Sequence, residues 1–287
     1  MIRALGLVLH PGRDCKPAMQ TITDWASAHD VAVLGLHGEI GRIGGSATAV
    51  EPGQLAERSG VVISLGGDGT MLRSMRLVYG HETPVLGVNL GRLGFLAEID
   101  VGELAGALTA INDRHFTVEA RSGVRARFNG TEVTAFNDVV LVRVPGRGGT
   151  AAVEVRVEGH SFVRYAGDAV VVATPTGSTA YSFSAGGPIV SPRAEGLLVV
   201  PVAPHSAFNR ALFLSGGESL SLKTLPTSGE LAVEADGQVV GQVDPADVVD
   251  LQLLPAAARV IRLGRTTFYQ RAQRRLRLTG SVEADAD

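Results

Sequence analysis

One acidic residue lies among three glycines in the segment Gly66-Gly67-Asp68-Gly69-Thr70, directly after the apolar run 61–65. Glycines let backbone N–H groups approach phosphate oxygens, and a helix that starts at this point adds partial positive charge. Thr70 is a residue type that favours the start of a helix. The pattern predicts a phosphate-binding loop at a strand-to-helix turn, built from Gly66, Gly67, Gly69 and Thr70.

The acid in this loop is the feature that suggests chemistry. A carboxylate beside phosphates is repelled unless it accepts the proton of an attacking hydroxyl or helps to hold a divalent cation. The Walker loop needs Gly-Lys-Ser/Thr, which the sequence lacks, and Leu72 stands where the third glycine of Gly-x-Gly-x-x-Gly belongs. Taken alone, the motif is equally compatible with an Asp-Gly turn that only ends a strand. Asp68 is therefore a catalytic candidate that needs a second signal.

That second signal is the segment 173–188, which follows the apolar run 170–173 and is dense in hydroxyls and small residues. Hydroxyl and exposed N–H groups can bind a sugar or a phosphate, and Tyr181 offers an aromatic face on which a base can stack. Composition alone is also compatible with an ordinary Ser/Thr-rich loop.

The two segments together resemble the NAD kinase family. The match extends over six stretches that span most of the chain, namely 66–70, 89–96, 137–140, 174–187, 204–205 and 236–238. Gly-Gly-Asp-Gly is shared with diacylglycerol kinases, sphingosine kinases and phosphofructokinases, whereas Thr-Pro-Thr-Gly-Ser-Thr-Ala-Tyr at 174–181 is far more specific.

The resemblance implies a kinase that phosphorylates the 2′-hydroxyl of the adenosine ribose of NAD to give NADP. The donor would be ATP, polyphosphate or another phosphoryl compound, carried with Mg²⁺. Asp68 would activate the hydroxyl, with Gly69 and Arg73 near the phosphates. A neighbouring subunit of a homodimer or homotetramer would complete the site. The implied NAD contacts are Asp68, Gly69, Arg73, Asn137, Asp138, Asp168, Thr179, Ala180, Tyr181, Ser182, Phe183, Ser184 and Gln238.

The sequence departs from the family pattern at three places. Asp138 stands where many members have glutamate, Gly167 precedes Asp168 where many members have glycine after it, and Ala166 stands where some have arginine. The missing arginine would remove one charge contact to a phosphate.

Two other functions remain open at this stage. A lipid kinase of the same superfamily would need an apolar groove, and the polar segment 176–184 favours a nucleotide instead. A non-catalytic NAD(P)-sensing protein has no need of a base among phosphates, and the presence of Asp68 weighs against it.

The elements that must hold these residues form two patterns. Residues 1–115 alternate short apolar runs with helical spacing, which predicts an α/β domain with an open, mostly parallel, Rossmann-like sheet. Residues 116–265 show period-two alternation with frequent turn signals, which predicts an all-β, sandwich-like domain. The tail 266–287 is expected to pack back onto the protein, with its last residues, 282–287, disordered.

Composition excludes several classes of function. A net charge of −3 with one arginine group, Arg271 to Arg277, gives little support to nucleic-acid binding, and we expect that group to form a solvated helix face. No apolar run reaches the roughly 18 residues of a membrane helix. The single cysteine, Cys15, fits a reducing cytoplasm, and the seven histidines form no metal-binding pattern.

Overall fold

The computed structural model describes residues 2–43, 47–91, 94–146 and 149–278. The chain forms two compact units, one of Met1–Glu119 with Ala258–Asp287 and the other of Ala120–Ala257. The units divide at 119/120 and 257/258, whereas the sequence patterns change near 115/116 and 265/266. Two long strands, β7 (Thr117–Phe128) and β18 (Val248–Arg262), run through the divisions, and a continuous strand gives no break in sequence pattern.

The first unit contains a parallel sheet in the order β3-β2-β1-β4-β5. Its β5 also pairs in parallel with β6 and, at Val260, with the end of β18. The strands are β1 (Ala4–Leu9), β2 (Ala32–Leu36), β3 (Thr48–Val50), β4 (Val61–Gly66), β5 (Val85–Asn89) and β6 (Ile99–Asp100). This sheet confirms the α/β class expected of the N-terminal region.

Helices cover the sheet of the first unit through the apolar faces that the sequence spacing predicts. Ala18, Ile22 and Trp25 are buried on α1, and Leu104, Leu108 and Ile111 are buried on α5. The helices are α1 (Lys16–Ala28), α2 (Ile40–Ile43), α3 (Pro52–Arg58), α4 (Asp68–Val78), α5 (Leu104–Asn112) and α7 (Phe268–Leu276), with one 3₁₀ turn at Val101–Glu103. No described helix is long and apolar enough to cross a membrane.

Parallel strands bring the motif residues of this unit to one edge. The carboxyl ends of β1, β4 and β5 are Leu9, Gly66 and Asn89, and neighbouring strands in an open α/β sheet place their ligands at this edge. The register pairs Gly66 directly with Asn89.

The second unit is a sandwich of two antiparallel sheets. One has the order β11-β10-β15-β18, with β7 next to β18 and β8 next to β7, and the other has the order β14-β13-β12-β9-β16-β17. Valines and leucines of both sheets form its core. The remaining elements are β8 (Thr131–Ala135), β9 (Asp138–Arg143), β10 (Ala151–Val157), β11 (His160–Gly167), β12 (Ala169–Ala173), a 3₁₀ turn (Gly177–Thr179), α6 (Tyr181–Ser184), β13 (Gly196–Val202), β14 (Leu212–Ser215), β15 (Leu220–Thr224), β16 (Leu231–Ala235) and β17 (Gln238–Val243). The sandwich class is confirmed.

Glu154 departs from the simple alternation of β10. Val153 and Val155 face the core as expected, yet Glu154 is also buried, with 2% of its surface exposed. Its carboxylate accepts hydrogen bonds from Arg156 (2.6 Å), Arg164 (2.8 Å) and Ser161 (3.0 Å), and these partners cover it. The bonds from Arg156 and Arg164 lower the pKa of Glu154 to about 2.

The tail packs back through α7, as expected, but one of its arginines differs from the prediction. The helix starts with a capping box between Thr267 and Gln270. Arg274, Arg275 and Arg277 are exposed, whereas Arg271 is 3% exposed and pairs with the buried Glu98. A charge run predicts a solvated face, and it gives no sign that one member is paired inside the unit. Residues 282–287 lie outside the described residues.

Candidate active site

The first motif is a strand-to-helix turn, with β4 ending at Gly66, Gly67 capping the helix and α4 beginning at Asp68. A Cβ on Gly66 would collide with the Thr70 side chain, whereas a Cβ on Gly67 or Gly69 would meet no described residue within 4 Å. Thr70 is thus not the helix cap that the sequence suggested. It lies buried in the first turn, where the missing side chain of Gly66 makes room for it.

Asp68 is half-buried at the N-terminus of α4, and the backbone that follows β5 holds its carboxylate. The N–H of Phe95 donates to Oδ2 and the N–H of Leu96 to Oδ1, both at 3.0 Å. Gly94 lies so close that a Cβ there would collide with the carboxylate. Among the described residues each oxygen accepts one N–H group, and because a carboxylate oxygen has two acceptor sites, each can also accept a substrate hydroxyl.

Arg73 lies one turn further along α4 and fixes the end of β1. Its Nη1 is 2.5 Å from Glu39 Oε1 and donates to the Leu9 carbonyl at 3.3 Å. Glu39 in turn accepts the Leu9 N–H at 2.8 Å. The side chain is 37% exposed, so a contact with phosphate stays a prediction.

Two arginines that belong to no sequence motif lie at the loop after β1, Arg13 within the loop and Arg42 on α2. Arg42 donates to the carbonyls of His10 (2.9 Å), Pro11 (3.2 Å) and Arg13 (3.0 Å). A Cβ on Gly91 would come within 2.6 Å of Arg13 Nη1, so Arg13 lies directly against the loop that follows β5. A single arginine belongs to no motif, and its place after the first strand of a parallel sheet is the only sequence signal it carries.

His10 and Cys15 have structural roles in the same loop. His10 Nδ1 accepts the N–H groups of Gly12 and Arg13 and so holds the turn. Burial and the charges of Arg13 and Arg42 lower the pKa of His10. Burial raises the pKa of the Cys15 thiol, which disfavours a reactive thiolate.

The second motif lies in the sandwich, and its first hydroxyls serve the fold. Thr174 Oγ1 donates to the Phe136 carbonyl at 2.6 Å and accepts the Gly177 N–H at 3.1 Å. Ser178 Oγ donates to the Pro175 carbonyl at 2.7 Å and accepts the Val190 N–H at 3.0 Å. The composition of the segment suggested that these hydroxyls bind a ligand, but in the structure they hydrogen-bond to backbone groups of the protein.

The later part of this motif presents more accessible side chains on α6. Tyr181 is 37% exposed and Phe183 is 36% exposed. Ser184 is also exposed, Thr179 and Ala180 are partly buried, and Ser182 is fully buried. Burial raises the pKa of Tyr181, and nearby carboxylates, first Glu234 and then Asp168 and Asp138, raise it further.

The backbone at Asn137, next to Asp138, is held by Asp236. This residue belongs to the matching stretch 236–238 but was not among the expected NAD contacts. Asp236 accepts the N–H of Phe136 (3.0 Å) and that of Asn137 (2.7 Å). Asp138 is 4% exposed at the start of β9. Burial, with the like charges of Asp236 and Glu234, raises the pKa of Asp138 to about 7.

The structure brings Asn137 into contact with the segment 174–187, whereas Asp168 and Gln238 lie at the surface of the second unit. A Cβ on Gly177 would overlap the Asn137 carbonyl, and the Thr174 N–H donates to that carbonyl at 2.8 Å. Asp168 pairs with Arg143 at 2.6 Å, with both side chains about half exposed. Gln238 is exposed at the start of β17. No group of three or more His, Cys, Asp or Glu suited to a metal ion occurs within the described ranges.

Comparison with known proteins identifies the family. The model of the ATP-NAD kinase N-terminal domain matches residues 47–116, and that of the C-terminal domain matches residues 136–263. NAD kinase 1 of Streptomyces avermitilis is 36% identical over 325 residues, which covers 100% of this chain and 90% of that protein. The chain belongs to the NAD kinase family. The resemblance indicated by the sequence motifs is thereby confirmed.

Other NAD kinases support the same conclusion. The enzyme of Natranaerobius thermophilus is 34% identical, with 90% of this chain and 91% of that protein covered. Two solved structures share the fold. Yeast NADH kinase complexed with NADH has a TM-score of 0.86 and 22% identity, covering 98% of this chain and 89% of that one. The NAD kinase from Archaeoglobus fulgidus in complex with ATP has a TM-score of 0.74 and 24% identity, covering 96% and 100%.

Proposed function

We propose that this protein transfers a phosphoryl group to the 2′-hydroxyl of the adenosine ribose of NAD and so makes NADP. The observation that carries the proposal is the half-buried Asp68 carboxylate, held at 3.0 Å by two backbone N–H groups at a helix N-terminus in a chain of the NAD kinase family. Within the described ranges each oxygen of this carboxylate accepts one N–H group, which leaves an acceptor site for the hydroxyl proton that the proposed reaction removes.

The first unit handles the phosphates in this proposal. The open sides of Gly67 and Gly69 and the N-terminus of α4 would face the phosphate oxygens, with Arg73 and Arg13 as further cations. Mg²⁺ arrives with the donor, as MgATP, and neutralises the charge that develops on the transferred group. Phosphoryl transfer depends mainly on such positioning and neutralisation.

The second unit recognises NAD. Tyr181 provides a face for a base, and Asp138 can hydrogen-bond the hydroxyls of a ribose. Asn137, Asp168, Thr179, Ala180, Phe183, Ser184 and Gln238 complete the proposed contacts. Ser182 is buried and would act by holding α6 in place.

Several finer features belong to the same proposal. ATP, polyphosphate or another compound serves as donor, and the protein works in the cytoplasm as a homodimer or homotetramer. Two exposed aromatic side chains of the second unit, Phe162 (53%) and Phe208 (39%), have ring centroids 6.1 Å apart and fit a surface that another subunit covers. Sedimentation velocity at micromolar concentration tests the assembly, and a monomer would contradict it.

One assay tests the proposed activity against its alternatives. Purified protein is incubated with NAD, ATP and Mg²⁺, and NADP is counted with a dehydrogenase that depends on it. We expect NADP in proportion to enzyme and time, and none without Mg²⁺. Diacylglycerol phosphorylation without NADP would support a lipid kinase, and NADPH binding without turnover would support a sensor. Replacing ATP by polyphosphate, and NAD by NADH, then defines both substrates.

A further inference from the structure

The backbone that holds Asp68 is itself held by two arginines. The N–H groups of Phe95 and Leu96 bind the Asp68 carboxylate. On the same segment, the carbonyl of Leu96 accepts from Arg262 Nη1 at 3.2 Å, and the carbonyl of Ala97 accepts from Arg271 Nη1 at 3.5 Å. The two peptide groups that directly follow those in contact with Asp68 are thus held through their carbonyls.

Both arginines meet at one buried carboxylate. Glu98 Oε2 lies 2.9 Å from Arg262 Nη1 and 3.0 Å from Arg271 Nη1, and Oε1 accepts the Leu263 N–H at 2.8 Å. The side chains of Glu98, Arg262 and Arg271 are 1%, 8% and 4% exposed. Glu119, 3.3 Å from Arg262, balances the second positive charge. Buried charges are costly unless paired, and here each has a partner.

Stability alone is a weak reason for this cluster. Replacing a buried ion pair by apolar residues is often neutral or stabilising, so an arginine at position 271 is not the simplest way to anchor a helix. Within α7 only Arg271 and Ala272 are buried, so this arginine is the main inward contact of the helix. What an apolar residue could not provide is a donor to the Ala97 carbonyl and to Glu98.

We propose that Glu98, Arg262 and Arg271 form a positioning cluster for Asp68, with α7 supplying its last member. The cluster fixes the 95–98 segment, so that the N–H groups of Phe95 and Leu96 keep the carboxylate in the orientation that meets the ribose hydroxyl. Arg271 touches no reacting atom and acts through Asp68. This inference rests on the proposed function, because its main effect is on turnover.

Arg271→Ala tests the proposal, with Arg274→Ala as the matched control on an exposed face of the same helix. Misplacing a catalytic group by about 1 Å can cost about 10²-fold in rate. We expect kcat for NADP formation to fall about 10- to 100-fold in Arg271→Ala, with KM for NAD within about threefold, while Arg274→Ala keeps both. Arg271→Lys, which retains a donor and the charge, should recover most of kcat.

A double-mutant cycle separates positioning from a general loss of folded protein. If Arg271 acts through Asp68, Arg271→Ala should cost no more than about twofold in an Asp68→Asn background. An equal factor in both backgrounds, or an unchanged kcat in the single variant, overturns the proposal. If Arg271→Ala does not fold, Arg271→Met, which fills a similar volume without a hydrogen-bond donor, takes its place in the cycle.

Amide hydrogen exchange tests the cluster independently of NADP formation. The Phe95 and Leu96 amides should exchange at least about tenfold faster in Arg271→Ala than in Arg274→Ala. Unchanged exchange at both amides would contradict the positioning role. An absence of NADP in the wild-type assay would instead contradict the proposed function. The exchange rates of the two amides would still show whether Arg271 holds the backbone segment that contacts Asp68.

Discussion

Gly66, Gly67 and Gly69 lie within four positions of one another, yet their surroundings differ. Gly66 leaves room for the buried Thr70 side chain, while Gly67 and Gly69 face open space among the described residues. Their conformations are open to other residue types, since none of the three has a positive φ. We therefore expect the first glycine to matter for folding and the other two to matter for a ligand.

Two alanine substitutions separate these requirements. Gly66→Ala should lower the free energy of unfolding by about 1 to 3 kcal/mol, because the Thr70 side chain must move in a packed interior. Gly69→Ala should leave the free energy of unfolding unchanged or slightly raised, because alanine favours a helix. The same substitution should lower turnover, because the added methyl group crowds the phosphates. Chemical unfolding and NADP assays on both variants provide the measurements. Equal stability losses would contradict the distinction.

Asp138 makes the stability of the protein depend on pH. The unfolded chain loses this proton near the usual pKa of 3.8, whereas the folded protein keeps it to about pH 7. Between these values the folded state binds more protons, so the free energy of unfolding falls as pH rises and levels off above about 7.

Asp138→Asn should remove this dependence. At pH 8 we expect the variant to gain roughly 2 to 4 kcal/mol in unfolding free energy, since each pKa unit is worth about 1.4 kcal/mol and the carboxyl is almost fully buried. Urea unfolding between pH 4 and 8 measures the unfolding free energy of the variant and the wild type. Asp250→Asn, at an exposed aspartate, is the control. A variant whose stability declines with pH as steeply as the wild type would refute the assignment.

At the scale of elements, the turn after β12 depends on close contact with the start of β9. Gly177 touches the Asn137 carbonyl, and Thr174 donates to both the Asn137 and Phe136 carbonyls. The contact is backbone to backbone, so neither side can yield as a flexible side chain would.

Gly177→Ala should therefore both destabilise the second unit and weaken NAD binding. We expect a loss of about 1 to 3 kcal/mol in unfolding free energy and a KM for NAD raised at least about tenfold. Gly217→Ala is the matched control, because a Cβ there meets no described residue within 4 Å. Calorimetry and NADP kinetics measure the two effects, and a normal KM in Gly177→Ala would count against the proposed NAD site.

The elements also show how far sequence patterns reach. Strands such as β1, β4 and β5 consist mainly of apolar residues, and α1 and α5 are long enough to display a buried stripe, so each could be predicted. The region 37–60 could not, because α2, β3 and α3 have four, three and seven residues. Periodicity needs more positions than these segments contain.

For the whole molecule, sequence motifs identify the residues of the candidate site better than they identify the distant residues that hold those residues in place. Asp68 and Tyr181 belong to local patterns, so the sequence could point to them. Arg271 lies 173 positions from its partner Glu98, and no local pattern records such a pair. The expected NAD contacts could be named from family motifs alone. The hydrogen bonds of Thr174 and Ser178 to backbone carbonyls could not be predicted without the folded backbone.

The identity of Asp68 as the catalytic base is the claim on which the whole molecule's function depends, and Asp68→Asn tests it most directly. The turnover number for NADP formation is measured at saturating NAD, ATP and Mg²⁺, after NAD-binding stoichiometry has established that the variant is folded. General-base help is worth about 10² to 10⁴ in rate, so we expect a loss of that size with stoichiometry retained. Turnover near that of the wild type would contradict the role of Asp68.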